Sequence, residues 1–317
     1  MSILVTCLPM LVALLLGGCS DYDVTRVQRE DVFRQGDPDV PADILWVVDN
    51  SASMREEQNA VATQVGSFLD ALALSGLDYR IGVVTTDVSE TPGALVGAIL
   101  TPDTPDLAPA LLTQVNVGTG GDRSEQPLEA VRAALSEPLA SGPNADIARV
   151  EARLAVIVLS DEDDHSPEAV PAYLDDLAAR KAAGGYRVSA IAGGLPEGCA
   201  SPAAQAEAGA RLHEAATTSG GAFESICATD FGAILARLGL EAGGMADRFA
   251  LTALPAEDSL EVFVDGARIH NRPSDGWTYD AGDNAVVFDG YAIPRPGQGI
   301  EVRYYDFLGR AADTAAE

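Results

Sequence analysis

The chain has 317 residues, of which 20 are Lys or Arg and 48 are Asp or Glu, so its formal net charge is −28. Phosphate contacts need a cationic surface, and a chain this acidic is therefore not expected to bind nucleic acid. Hydrophobic residues make up 47% of the sequence, enough for a packed core, and this excludes disorder over most of the chain.

The N-terminus has the features of an export signal. Residues 1–18 contain no charged side chain, and Pro9 interrupts an apolar stretch that is already short for a membrane-spanning helix. Residues 16–19, Leu-Gly-Gly-Cys, resemble the bacterial lipobox. The resemblance implies that residues 1–18 are removed and that Cys19 carries a lipid anchoring the protein in the cell envelope, at the outer membrane or facing the periplasm. An ordinary secretory signal, with Cys19 incidental, is the alternative.

Two further cysteines, Cys199 and Cys227, lie in the part of the chain that would be exported. A pair of cysteines in an oxidising compartment most simply forms a disulfide. Two free buried thiols are the alternative.

After a polar stretch at 19–41, predicted to be a tether, strands and helices alternate along the chain. The predicted strands are 43–48, 79–86, 154–159, 186–192 and 221–226, and the predicted helices are 54–74, 167–183, 203–218 and 231–240. Repeated alternation of this kind predicts an α/β domain over 42–244, with a doubly wound, mostly parallel sheet.

The hydrophobic period changes after this domain. Apolar and polar residues alternate at 260–264, and Asp265-Gly266 is typical of a two-residue hairpin turn. Residues 249–310 are therefore predicted to form a small antiparallel β domain, a sandwich or a meander.

Residues that could bind a metal follow two of the predicted parallel strands. Asp49, Ser51 and Ser53 follow the first strand, and Asp161 follows the third. The carboxyl ends of parallel strands lie at one edge of the sheet, where ligands bind in such folds. Carboxylate and hydroxyl oxygens suit Mg²⁺, so this edge is a candidate magnesium site.

An apolar strand ending in Asp-x-Ser-x-Ser, then Met and a long helix, with a later strand ending in Ser-Asp, resembles the von Willebrand factor type A domain. The resemblance implies a metal-ion-dependent adhesion site that holds Mg²⁺, with Ca²⁺ or Mn²⁺ as possible substitutes. Its ligands would be Asp49, Ser51, Ser53 and Asp161, with a further residue from the Gly-rich loop at 118–125. We take Thr119 for that position, with Asp122, Ser124 and Glu125 as alternatives.

A narrower resemblance involves Asp-Asn-Ser-x-Ser-Met, the segment 125–130, Ser-Asp-Glu-Asp-Asp and the cysteine pair. Together they look like exported lipoproteins of myxobacteria and their relatives, which suggests a type of site and no particular ligand. Residues 162–164 are expected to form a solvated acidic loop, and His165 beside them is expected to have no catalytic role.

We expect a binding protein and no enzyme. Phosphatases with an aspartate nucleophile need a second Asp two residues later, where this chain has Ser51, so a Mg²⁺-dependent hydrolase is the weaker alternative. The expected partner is a protein with an exposed carboxylate, which would approach the acidic surface through the cation. A structural role for the metal in the envelope is the second alternative.

Overall fold

The computed structural model describes residues 24–309, except 37–38, 90, 123, 148, 182–184, 202–203 and 257. The predicted signal at 1–18 and the predicted lipid attachment at Cys19 lie outside the described residues. No helix in the described part of the chain is both long enough and apolar enough to cross a membrane.

Strands and helices follow one another from the first described residue to the last. The strands are β1 (Val24–Arg34), β2 (Ala42–Val48), β3 (Tyr79–Thr85), β4 (Arg153–Leu159), β5 (Tyr186–Ala192), β6 (Cys199–Ala200), β7 (Gln205–Ala206), β8 (Phe223–Ser225), β9 (Arg248–Ala250), β10 (Glu261–Val264), β11 (Ala267–Ile269), β12 (Trp277–Asp280), β13 (Ala285–Phe288) and β14 (Gly299–Gly309). The helices are α1 (Arg55–Ala73), α2 (Leu107–Val115), α3 (Pro127–Ala134), α4 (Val170–Arg180), α5 (Ala210–Ser219) and α6 (Phe231–Ala242).

The larger unit is a parallel sheet covered by helices on both faces, as predicted. Its strand order is β3-β2-β4-β5-β8, and each neighbouring pair is parallel. In β2, Ile44, Trp46 and Val48 pack in the core formed with α1, α2 and α6. Leu45 and Val47 alternate with them and pack with α3, α4 and α5. A strand buried on both faces explains the continuous apolar run of β2.

One predicted helix is shorter than expected at its start. The helix expected over 203–218 is α5, which begins at Ala210. The chain just before it instead forms the two-stranded β6–β7 hairpin. A disulfide joins Cys199 of this hairpin to Cys227 after β8, with the Cα atoms 6.1 Å apart, so the predicted pairing is present.

The smaller unit is a sandwich of two antiparallel sheets. Their strand orders are β1-β14-β10-β11 and β12-β13-β9. The facing sides share one apolar core, whose buried members are Phe249, Leu251, Val262, Val264, Trp277, Val286, Phe288, Ile300, Val302 and Tyr304. The predicted hairpin turn joins β10 to β11, and Asp265 and Gly266 both have positive φ, 47° and 79°, as a type I′ turn requires.

The tether prediction for residues 19–41 is wrong where the structure describes the segment. β1 pairs with β14 over its whole length, from Val24 opposite Gly309 to Arg34 opposite Gly299. The strand was hard to recognise because its inward face includes Asp31, which is buried. Asp31 accepts hydrogen bonds from the Thr252 hydroxyl at 2.6 Å and the Tyr304 hydroxyl at 2.8 Å. The α/β unit is therefore inserted between β1 and β9.

The β sandwich packs at the end of α1 that lies away from the predicted metal ligands. Arg295 donates from Nη1 to the carbonyl oxygen of Leu74, the residue after α1, at 3.0 Å. Gln35, just after β1, donates to the Ala246 carbonyl at 2.7 Å and the Pro294 carbonyl at 3.0 Å. Asp49 and the serines that follow it precede the other end of α1. The candidate site and the sandwich therefore lie at opposite ends of the parallel sheet.

Candidate metal centre

The predicted ligands Asp49 and Asp161 follow the adjacent strands β2 and β4. The Asp49 amide continues the sheet by donating to the Leu159 carbonyl at 2.9 Å. Since β2 and β4 run parallel, the two residues leave the sheet at the same edge.

Asp49 is fully buried, and its own loop holds it in place. One carboxylate oxygen, Oδ1, accepts from the Ser51 amide at 2.7 Å, and Oδ2 accepts from the Ser160 hydroxyl at 2.7 Å. The Asp49 carboxylate therefore links the loop after β2 to the loop after β4.

Ser51, Ser53 and Asp161 complete the cluster predicted from the Asp-x-Ser-x-Ser motif. The Ser51 and Ser53 hydroxyl oxygens are 3.1 Å apart. Ser53 also hydrogen-bonds the Asp161 carboxylate, which touches that of Asp49. Asp161 is only 5% exposed, whereas Ser53 is exposed, so the cluster opens to solvent at Ser53.

The third loop contributes Glu125, one of the alternatives weighed against Thr119. Glu125 is fully buried, and its Oε2 accepts a short hydrogen bond from the Thr86 hydroxyl. Burial, then the charge of the adjoining Asp49 carboxylate, raises its pKa to about 8. The backbone fixes this segment as well, because the amide of His165 donates to the Glu125 carbonyl at 2.8 Å.

The structure does not bring Thr119 to the cluster. Its hydroxyl accepts from Nη2 of Arg55 at 3.4 Å, and no contact in the described part of the chain joins it to Asp49 or Asp161. Ser124 and Asp122 are exposed, and the Asp122 amide faces Asp87 at 3.4 Å. Glu125 directly precedes Gln126, the N-cap residue of α3, whereas Thr119 lies eight residues before the helix.

The electrostatics of the cluster favour a bound cation. Burial, with the charge of Asp49, also raises the pKa of Asp161 to about 6. Oδ1 of Asp161 and Oε1 of Glu125 are buried without a hydrogen-bond partner, and no ion pair with a described Lys, Arg or His reaches Asp49, Glu125 or Asp161. Buried carboxylates are costly unless they are paired or bind a metal.

The carboxylates of the cluster supply only some of the oxygen ligands that a hard divalent cation needs. Glu125 and Asp161 both touch Asp49, yet no three His, Cys, Asp or Glu side chains among the described residues are placed to hold a metal ion by themselves. A cation here would therefore also use the Ser51 and Ser53 hydroxyls and water, as Mg²⁺ commonly does.

One polar side chain and one backbone hydrogen bond tie the loops of the site together. Gln58 of α1 donates from Nε2 to the carbonyl oxygens of Asp49 and Gly118, at 2.7 and 2.8 Å. The Gly121 amide donates to the Asn50 carbonyl at 2.8 Å. A Cβ atom at Gly121 would lie 2.3 Å from Oδ1 of Asn50, so only glycine fits there without movement.

The side chains of residues 163 and 164 contact the start of α5, whereas the sequence predicted a solvated acidic loop. Asp163 accepts from the Arg211 amide at 3.0 Å, near the start of α5. Asp164 is buried and forms an ion pair with Arg211 at 2.8 Å. Their neighbour His165 is exposed, and its backbone contact to Glu125 is structural.

Glu57, a further buried carboxylate near the cluster, is not predicted from the sequence. Its Oε2 has no hydrogen-bond partner, and burial, with the charges of Asp161, Glu56 and Asp49, raises its pKa. Glu57 lies four residues before Val61, on the apolar side of α1. An acidic residue on the apolar side of a helix is the sequence feature that could have indicated a buried carboxylate here.

The β6–β7 hairpin also contacts the site, through the backbone of Asp161. The amide of Glu207, directly after β7, donates to the Asp161 carbonyl at 2.8 Å. The disulfide holds this hairpin to the segment after β8, so it acts on the backbone that presents Asp161.

No protein-family model and no curated protein sequence matches the chain. Among solved structures, it is similar to the pilus adhesin SpaC of Lactobacillus rhamnosus GG, with 14% identity and a TM-score of 0.46 over 94% of this chain and 44% of the adhesin. It is also similar to a von Willebrand factor type A protein of Catenulispora acidiphila, with 14% identity and a TM-score of 0.41 over 92% of this chain and 68% of that protein.

A third similar structure is proximal thread matrix protein 1 of the mussel byssus, described with a zinc-occupied metal-ion-dependent adhesion site. The identity is 15% and the TM-score 0.40, over 67% of this chain and 48% of the mussel protein. The chain thus spans about half or less of the adhesin and the mussel protein. At these identities and scores, the likeness carries no conclusion about what the present chain binds.

Proposed function

We propose that the chain binds a divalent cation, Mg²⁺ in the first place, at the edge formed by Asp49, Ser51, Ser53, Asp161 and Glu125. The observation that carries the proposal is a cluster of buried carboxylates from three loops. They have no cationic partner among the described residues, and two of their oxygens have no hydrogen-bond partner. Ca²⁺ and Mn²⁺ are substitutes that prefer the same oxygen donors.

The cation would serve adhesion to a protein partner with an exposed carboxylate. Ser53 is the exposed member of the cluster, so a ligand would approach from its side. The partner's carboxylate would bind the cation, which offsets the repulsion expected from a chain of net charge −28. We propose no catalysis, because a hydroxyl at Ser51 stands where a phosphatase would need an acid.

The proposed setting is the cell envelope, with the chain exported and anchored through a lipid on Cys19. Support comes from the apolar, uncharged residues 1–18, from the Leu-Gly-Gly-Cys segment and from the disulfide, which is typical of exported proteins.

Glu125 favours a second candidate, a structural cation that holds three loops together. With Glu125 as a third carboxylate, three negative charges would surround an ion of charge +2. The site would then attract a partner's carboxylate less strongly. The two candidates differ in whether a carboxylate ligand and Mg²⁺ strengthen each other's binding, because such coupling is reciprocal.

The test is calorimetric titration of the metal-free chain with Mg²⁺, alone and with N-acetyl-aspartate amide or its asparagine counterpart. We expect saturable Mg²⁺ binding, tightened by the aspartate probe and unchanged by the asparagine probe. Equal Mg²⁺ affinity with both probes would favour the structural cation, and no saturable Mg²⁺ binding would contradict both candidates.

The matched variants are Ser51→Ala with Ser53→Ala and, as the control, Ser136→Ala with Ser141→Ala. The control hydroxyls lie near the end of α3 and contact the Arg132 carbonyl and the Glu137 carboxylate, away from the cluster. The first pair should lose at least about tenfold in Mg²⁺ affinity, which corresponds to about 1.4 kcal/mol, and the control pair should keep it.

A further inference from the structure

The outward face of the four-stranded sheet is unusual in this acidic protein. Residues directly opposite each other in neighbouring strands point to the same face of the sheet. The pairing of β1, β14, β10 and β11 therefore identifies the residues that lie together on the solvent side. This set, called the outer face below, consists of Arg26, Gln28, Glu30, Val32, Arg34, Glu261, Phe263, Arg268, Glu301, Arg303 and Tyr305.

Apolar and aromatic groups of the outer face are exposed. Val32 is 69% exposed and Tyr305 is 41% exposed. Phe263 lies under the Arg303 guanidinium, 4.9 Å from the ring centroid. An arginine over an aromatic ring beside exposed apolar groups combines a charged end with an apolar body, which suits the boundary between water and lipid.

The outer face is not negative, in contrast to the rest of the molecule. It carries four arginines and three glutamates, which leaves +1, whereas the whole chain carries −28. Within the face, Arg268 pairs with Glu261 and Arg303 pairs with Glu301. An anionic lipid surface would repel most of this protein but not this face.

The position of β1 limits what can lie beside the outer face. Cys19 precedes Val24, the first residue of β1, by five residues, which span at most about 18 Å even when fully extended. A lipid on Cys19 would therefore hold the four-stranded sheet close to the headgroups. The candidate metal centre, at the far end of the parallel sheet, would then face away from the membrane.

We propose that the outer face of the four-stranded sheet rests on the phospholipid surface in which the chain is anchored. This inference relies on the lipid anchor of the proposed function but not on its metal site. The bilayer covers Val32 and Tyr305, and the exposed Arg34 beside them meets lipid phosphates.

The test uses the lipidated full chain with a polarity-sensitive fluorophore at Val32→Cys, reconstituted in phosphatidylglycerol vesicles with and without headgroup nitroxide. The matched control is Val150→Cys, because Val150 is also 69% exposed but lies outside the sandwich, before β4. We expect the nitroxide to quench the label at position 32 by about half or more and to leave the label at position 150 nearly unchanged.

Equal quenching at both positions, or quenching at neither, would overturn the proposal. A label at position 32 that is already shielded without vesicles, together with a dimeric elution volume, would assign the face to a second copy and also overturn it. Intact mass tests the anchor separately. If Cys19 carries no lipid, the proposed anchoring fails, and the chain held through an N-terminal histidine tag on nickel-chelating vesicles still tests the outer face.

Discussion

Glu125 determines the charge of the candidate site because it replaces the neutral hydroxyl that the family resemblance implies. Its carboxylate is buried next to that of Asp49 and accepts a hydrogen bond from the Thr86 hydroxyl. The sequence leaves Glu125 as one of several alternatives, and only the structure selects it. The spacing between a loop residue and the following helix does not determine which side chain turns inward.

The raised pKa of Glu125 predicts how the stability of the metal-free chain depends on pH. The folded carboxyl binds its proton more tightly than the unfolded one, so this group's contribution to stability falls as pH rises from its ordinary pKa toward about 8. Glu125→Gln removes this titration. We expect the variant's melting temperature, relative to wild type, to rise by several degrees between pH 5.5 and pH 8, measured by calorimetry in EDTA.

Asp161, with a pKa of about 6, is present in both chains, so the comparison between variant and wild type isolates the contribution of Glu125. A melting-temperature difference between variant and wild type that does not change with pH would contradict the assignment. Mg²⁺ added at pH 8 should raise the melting temperature of the wild type more than that of the variant, because the cation replaces the proton.

At the scale of elements, the site depends on the packing of the Gly-rich loop against the loop after β2. Gly121→Ala would place a Cβ atom 2.3 Å from the Asn50 side chain, between two predicted ligands. We expect about a tenfold loss of Mg²⁺ affinity by calorimetry, because small displacements of ligand loops are costly.

Gly120→Ala is the matched control for this prediction. No atom lies within 4 Å of a Cβ built at Gly120, and its φ is not in the left-handed region. The control should bind Mg²⁺ like the wild type. Equal effects of the two substitutions would mean that the loop contact does not position the site.

The disulfide is a second element-scale feature, because it closes the chain between β6 and the segment after β8. The cysteines are separated by 28 positions, and a loop of that length is expected to contribute about 3 to 4 kcal/mol. Cys199→Ser with Cys227→Ser should lower the free energy of unfolding in urea by about that amount. The wild type with reductant should behave like the double variant, and an unchanged unfolding midpoint in both would contradict the prediction.

The sequence predicts β2 and β4 well because each combines a continuous apolar run with a following polar loop. It does not predict the β6–β7 hairpin, whose two-residue strands are too short to show a period. The positions of Asp49, Ser51, Ser53 and Asp161 follow from strand ends, whereas Glu57 and Gln58 depend on which side of α1 faces the loops.

For the whole molecule, the main difference from the sequence prediction is the role of the N-terminal segment. A tether could be removed without effect, but β1 supplies an edge strand to a sheet whose other strands lie more than 200 residues later. Its pattern is masked by the buried Asp31, whose partners Thr252 and Tyr304 are distant in sequence. Such long-range compensation cannot be derived from local periodicity.

Removing β1 should therefore destabilise the sandwich. A chain that begins at Ala42 would leave one backbone edge of β14 unpaired and Tyr304 without its hydrogen bond to Asp31. We expect rapid amide exchange in β9–β14 by hydrogen–deuterium exchange, whereas a chain beginning at Val24 should match the full chain. Equal protection in the two shortened chains would restore the tether interpretation.

The proposed function depends most on a single divalent cation. This cation would be held between three loops: the one after β2, the one after β4 and the one before α3. Anomalous diffraction from crystals grown with Mn²⁺ locates such an ion directly. We expect one strong peak within coordination distance of Asp49, Asp161 and a serine hydroxyl, and we expect it to be lost in Ser51→Ala with Ser53→Ala. A map without a peak at this edge, from crystals with Mn²⁺ in excess, would contradict it.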